Sequence, residues 1–137
     1  MRVRDLMTAR PITVDPGTPM LEARQRMVEE RIRHLVVVED ARVVGIVTDR
    51  DIRLNLPSPA TSLSVWELNY LLAKLTVGGV MSKGVLVVDP DRPVADAARI
   101  MMEHKIGALP VVDGGRLIGI VTETDFVRAM AGAVRSV

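Results

Sequence analysis

The sequence predicts an α+β fold of two tandem β-α-β-β-α units, packed as a pseudo-twofold pair with a helical insert between them. Three observations predict it. Residues 3–56 align with residues 77–130 at a constant offset and without a gap, with roughly a third of positions identical. Within both copies, short apolar runs and amphipathic stretches alternate in the same order. Each copy also closes on one pattern, Gly45-Ile46-Val47-Thr48-Asp49-Arg50-Asp51 and Gly119-Ile120-Val121-Thr122-Glu123-Thr124-Asp125. The segments divide as 1–56 for the first repeat, 57–76 for the insert and 77–137 for the second repeat.

The elements follow in chain order. Pro11 to Val14 is a short extended piece echoed by Val85 to Val88, and both stop at Asp-Pro. Thr18 then offers an N-cap with Pro19 at the first helical position, and Pro93 repeats that start. Met20, Ala23, Met27 and Val28 are expected on one buried helical face, as are Val94, Ala97, Ala98, Met101 and Met102. Two strand-like runs come next, His34–Glu39 with Arg42–Thr48 and Ala108–Val112 with Arg116–Thr122. The second pair is joined at Gly114-Gly115, a hairpin signal. A short helix ends each copy, Asp49 to about Leu56 and Glu123 to about Met130. In the insert, Pro57-Ser58-Pro59 stops the preceding helix, and Ser62 or Ser64 can cap a new one. Its stripe at Val65, Leu68, Leu71, Leu72 and Leu75 predicts a packed helix, on which Trp66 and Tyr70 are first expected to anchor the insert on the core, the alternative being a partner or dimer contact.

Composition narrows the function classes. Of 137 residues, 48% are hydrophobic but only 2% aromatic, so the core is aliphatic and the Met stripes are filler. A net charge of +1 gives no field for nucleic acid or a membrane surface. The absence of Cys removes thiol catalysis, disulfides and Cys-based zinc sites. No apolar run suits a membrane span or a signal peptide, so a cytoplasmic protein is expected. With His34 and His104 alone, no metal site has credible spacing. No Ser–His pair or catalytic carboxylate pair marks an enzyme.

The chemistry concentrates in the closing patterns. A Thr at a strand exit with an acid three residues on forms a capping box, and the adjacent open helix amides favour a phosphate. A carboxylate can accept from two vicinal hydroxyls, which makes it a grip for a sugar.

Two such patterns at one offset, each preceded by Ile-x-x-Leu-x-Val-Val (Ile32 and Ile106), resemble a pair of CBS domains, together a Bateman module. The resemblance implies a non-catalytic regulatory sensor that binds AMP, ADP, ATP or S-adenosylmethionine in the cleft between repeats. It implies ribose and phosphate contacts from Thr48, Asp51, Thr122 and Asp125. Phosphate contacts are further expected from Arg33, His34, Arg50 and Lys105. An adenine pocket is expected from Thr13, Ile32, Leu35, Val87, Ile106, Ala108 and Pro110, within segments 8–13, 32–35, 82–87 and 106–110. No cofactor is obligatory; Asp49, Asp51, Glu123 and Asp125 are able to hold Mg²⁺ beside ATP, though nothing requires it. The resemblance also implies a homodimer and a regulated enzyme or transporter. The other reading is a structural or dimerisation module that regulates a partner without any ligand.

The copies are unequal in charge. Arg31, Arg33, His34, Arg50 and Arg53 flank the first motif, where the second has Lys105, Gly107, Ala108, Thr124 and Val127, with Arg128 nearby. The first motif is therefore expected to hold nucleotide phosphates better than the second.

Overall fold

A computed structural model describes residues 1–58 and 61–133. Pro59 and the last four positions of the 77–137 segment lie outside the described residues. The chain forms two compact units, Ile12–Val85 and Met1–Pro11 with the described part of Leu86–Val137. The compact units thus cut the sequence repeats: the first residues of each repeat, 1–11 and 77–85, fold with the other repeat's sheet.

In the 12–85 unit, β2 (Thr13–Val14) runs parallel to β3 (His34–Glu39), which pairs antiparallel with β4 (Arg42–Thr48). Ser82 adds a further bridge on the free side of β4, exchanging backbone hydrogen bonds of 3.1 and 2.8 Å with Ile46. One face carries α2 (Met20–Glu30) and α3 (Asp49–Leu54), with α4 (Val65–Lys74) and α5 (Val77–Val80) completing the unit. Leu35, Val37, Val47, Met20, Ala23, Met27, Ile52 and Val77 make its core. Val77 N donates to Thr18 O at 2.8 Å and Met20 N to Leu75 O at 3.0 Å, which ties α5 to the start of α2.

The other unit repeats this plan. β5 (Ala108–Asp113) pairs antiparallel with β6 (Arg116–Thr122), and β1 (Thr8–Ala9) covers the outer side of β6 where Ser82 stands on β4. Val88 bridges β5 in parallel, as β2 does β3. α1 (Val3–Leu6), α6 (Val94–His104) and α7 (Glu123–Ala133) supply the helices. Val3 N donates to Arg92 O at 2.9 Å and Val94 N to Met1 O at 3.0 Å, matching the α5 ties in the first unit. Arg4 Nη2 adds an ion pair to Asp91 Oδ1 at 2.8 Å.

Glycine lets the exchanged segments approach. A Cβ on Gly45 would sit 2.5 Å from Met81 Sδ and 2.9 Å from Ser82 O; on Gly119 it would sit 2.5 Å from Met7 Sδ and 3.0 Å from Thr8 O. The invariance of this glycine between repeats is therefore a packing requirement. Gly114 and Gly115 take positive φ of 57° and 84° in the β5–β6 turn, while Asp40 and Ala41 adopt 51° and 63° in the equivalent turn.

Several local expectations are corrected. The N-cap of α2 is Pro19 rather than Thr18, and Pro93 caps α6, neither with a side-chain cap. Val28, Ala98 and Met102 are exposed, because each follows a buried residue by one position and so turns about 100° off the buried stripe. α3 stops at Leu54, while α7 runs on to Ala133. Ser64, not Ser62, caps α4, in a capping box with Glu67. That helix buries no residue: Leu68, Leu72 and Leu75 are half-buried, and Val65 and Leu71 are exposed. Trp66 is 84% exposed and Tyr70 is exposed too, so they do not anchor the insert. They lie on the face opposite Leu68 and Leu72, where Lys74 Nζ stacks 4.0 Å from the Tyr70 ring centroid.

Candidate functional site

Each closing motif stands where the last long strand of its sheet leaves for a helix. Thr48 is the N-cap of α3 in extended conformation (φ −113°, ψ 161°). Its hydroxyl accepts from Asp51 N at 3.0 Å, and Asp51 Oδ2 accepts from Thr48 N at 2.9 Å, closing the capping box. Among the described residues nothing donates to Asp51 Oδ1, and the residue is half-buried. Asp49 N donates to Arg33 O at 3.0 Å, which fixes the motif against the start of β3. Antiparallel register puts His34 opposite Thr48 and Leu35 opposite Val47.

The second motif differs. Asp125 Oδ2 accepts from Thr122 N at 2.8 Å and from Thr122 Oγ1 at 3.2 Å. Oδ1 accepts from Thr8 Oγ1 at 3.0 Å and from Arg128 Nη1 at 3.2 Å. Asp125 is 4% exposed, the buried charged side chain among the described residues. Four donors compensate its loss of water, which burial of a carboxylate requires. Thr8 enters only because residues 1–11 fold with this unit. A hydroxyl at the equivalent position of both repeats, Thr8 and Ser82, is the signal that marks it in the sequence.

The remaining candidates divide. Arg33, Arg50 and Lys105 are exposed, Lys105 at the left-handed C-cap of α6. His34 is half-buried beside Thr48. Arg53, counted in the basic set around the first motif, is paired with Asp49 at 2.9 Å. Ile32 and Ile106 are half-buried, each just ahead of its unit's central strand. Leu35 is a core residue, Ala108 and Pro110 are buried along β5, and Val87 is exposed. Thr13 lines an open polar groove of about 580 Å³ with Asp15, Thr18, Glu22, Gln25 and Arg26, apart from Thr48 and Asp51. Among the described residues, no group of His, Asp and Glu is arranged to hold a metal, and no helix is long and apolar enough to cross a membrane.

The "CBS domain" family model matches residues 3–58 and 77–132. The chain is 39% identical over 128 residues to homoserine O-acetyltransferase of Methanococcoides burtonii, covering 92% of this chain but only 23% of that protein. Among solved structures, CBSX2 in complex with AMP matches with a TM-score of 0.80 at 37% identity, covering 98% of this chain and 99% of that one. The CBS domain pair of MJ0100, in complex with 5′-methylthioadenosine and S-adenosyl-L-methionine, matches with a TM-score of 0.79 at 29% identity over 97% and 98% of the two chains. The chain belongs to the CBS-domain family, carrying two copies of the domain in tandem.

Proposed function

We propose that this chain is a non-catalytic regulatory module that binds an adenosine-containing ligand, with Asp51 gripping the ribose. The molecules in the CBSX2 and MJ0100 structures share an adenosine and differ in what extends from its 5′ carbon. A grip on the sugar would serve all of them. The observation that carries the reading is the carboxylate of Asp51, held by Thr48 through one oxygen and, among the described residues, without a donor on the other. Two vicinal hydroxyls are good donors to such an oxygen, and charge-assisted hydrogen bonds are the strong kind. Arg33 and Arg50, exposed near the same strand exit, suit an anionic 5′ tail, which favours AMP, ADP or ATP over a cationic sulfonium. The occupied module would regulate an associated enzyme or transporter.

A thermal-shift panel of AMP, ADP, ATP and S-adenosylmethionine tests this. A ligand at a hundred times its dissociation constant stabilises the fold by about 2.7 kcal/mol. A rise in Tm with a nucleotide, lost in Asp51→Ala, supports the reading; no rise with any compound defeats it. The exposed Trp66 and Tyr70 favour a second reading, a module that acts through protein contact alone. That reading predicts the flat panel.

A further inference from the structure

A carboxylate has about four acceptor positions on its two oxygens. Asp125 fills all four from its own unit: Thr122 N and Oγ1 on Oδ2, Thr8 Oγ1 and Arg128 Nη1 on Oδ1. Asp51 accepts from Thr48 N alone among the described residues. The difference traces to two substitutions between the repeats. Arg128 stands where the first repeat has Leu54, which has no donor, and Thr8 stands where Ser82 lies beside β4. Ser82 carries a hydroxyl too, but among the described residues it makes no hydrogen bond to Asp51, whereas Thr8 Oγ1 donates to Asp125 Oδ1 at 3.0 Å.

We infer that Thr8 and Arg128 are internal stand-ins for ligand hydroxyls, so that the second motif is closed by its own chain and the protein holds one adenosine ligand tightly, at Asp51. The inference rests on the function proposed above. A ribose reaching Asp125 would have to displace both donors and would gain no net hydrogen bond in return. Each charge-assisted hydrogen bond not gained weakens the site by about ten- to a hundredfold. The two repeats thus share a motif and differ in whether it is available. The lock is also adjustable: the Arg128 side chain is 71% exposed, so it can leave without opening the core.

Calorimetric titration with AMP reads the number of tight sites. The wild-type chain is expected to take one equivalent, and Thr8→Ala/Arg128→Leu two. Arg128→Leu alone, which replaces an exposed side chain with the first repeat's residue, should tighten the second event about tenfold and serves if the double variant does not fold. Two equal tight events in the wild type, or one event persisting in the unlocked variants, overturn the inference and leave the function standing. If AMP does not bind the wild type, the titration is run with ATP or S-adenosylmethionine and read in the same way; no binding of AMP, ADP, ATP or S-adenosylmethionine to the wild type removes both.

Discussion

Asp51 and Asp125 occupy the same place in two copies of one pattern, three residues after a threonine at a strand exit, and the chain treats them differently. Asp51 is half-buried and shares one oxygen with its own N-cap amide, whereas Asp125 is buried and receives Thr8, Thr122 and Arg128. Identical motif letters therefore do not guarantee identical chemistry. What decides is the set of donors that neighbouring segments bring, and one of these, Thr8, comes from beyond the repeat it serves. The motif threonine itself responds: Thr48 Oγ1 accepts from the backbone of Asp51, while Thr122 Oγ1 donates to the carboxylate of Asp125.

The comparison can be pressed from its symmetric parts toward its asymmetric ones, with urea unfolding as the readout. Leu35 and Leu109 are equivalent and fully buried, so Leu35→Ala and Leu109→Ala should each cost about 2–5 kcal/mol. A loss confined to one repeat would show that the cores are not alike. Gly45→Ala and Gly119→Ala should each cost about 1–3 kcal/mol, since the added methyl meets a backbone oxygen as well as a mobile Met. Symmetry should then fail at the carboxylates. Asp125→Ala strands buried donors and should cost about 1–3 kcal/mol. Asp51→Ala removes only a cap, at about 0.5–2 kcal/mol. The reverse ranking would mean that the four contacts on Asp125 contribute little. Smallest of all, Trp66→Ala should change stability by no more than about 0.5 kcal/mol, because its ring touches no core.

Much of this was legible in the sequence because the duplication is gapless. The long strands β3 to β6, the β5–β6 Gly-Gly turn and the Thr48–Asp51 capping box appear where the aligned pattern puts them, while the extended pieces expected at 11–14 and 85–88 shrink to Thr13–Val14 and a single bridge at Val88. Helical faces are less legible. Counting apolar residues at helical spacing could not separate Met27 from Val28 or Met101 from Met102, since both members of each pair are apolar and only one reaches the core. Trp66 and Tyr70 misled for a related reason, as large apolar side chains on the solvent side of an amphipathic helix. The state of Asp125 was not legible either. It depends on residues 1–11 folding with 86–133, and a register of that kind is set by tertiary packing around Gly119 rather than by local pattern.

Comparing the AMP affinity of Asp51→Ala with that of Asp125→Ala, each checked for folding, tests the inequality of the two motifs most directly. Losing the open carboxylate should weaken binding at least tenfold, the effect of a single charge-assisted hydrogen bond, while losing the occupied one should leave the tight site within about threefold of wild type. Equal losses in the two variants, or none in either, would contradict it.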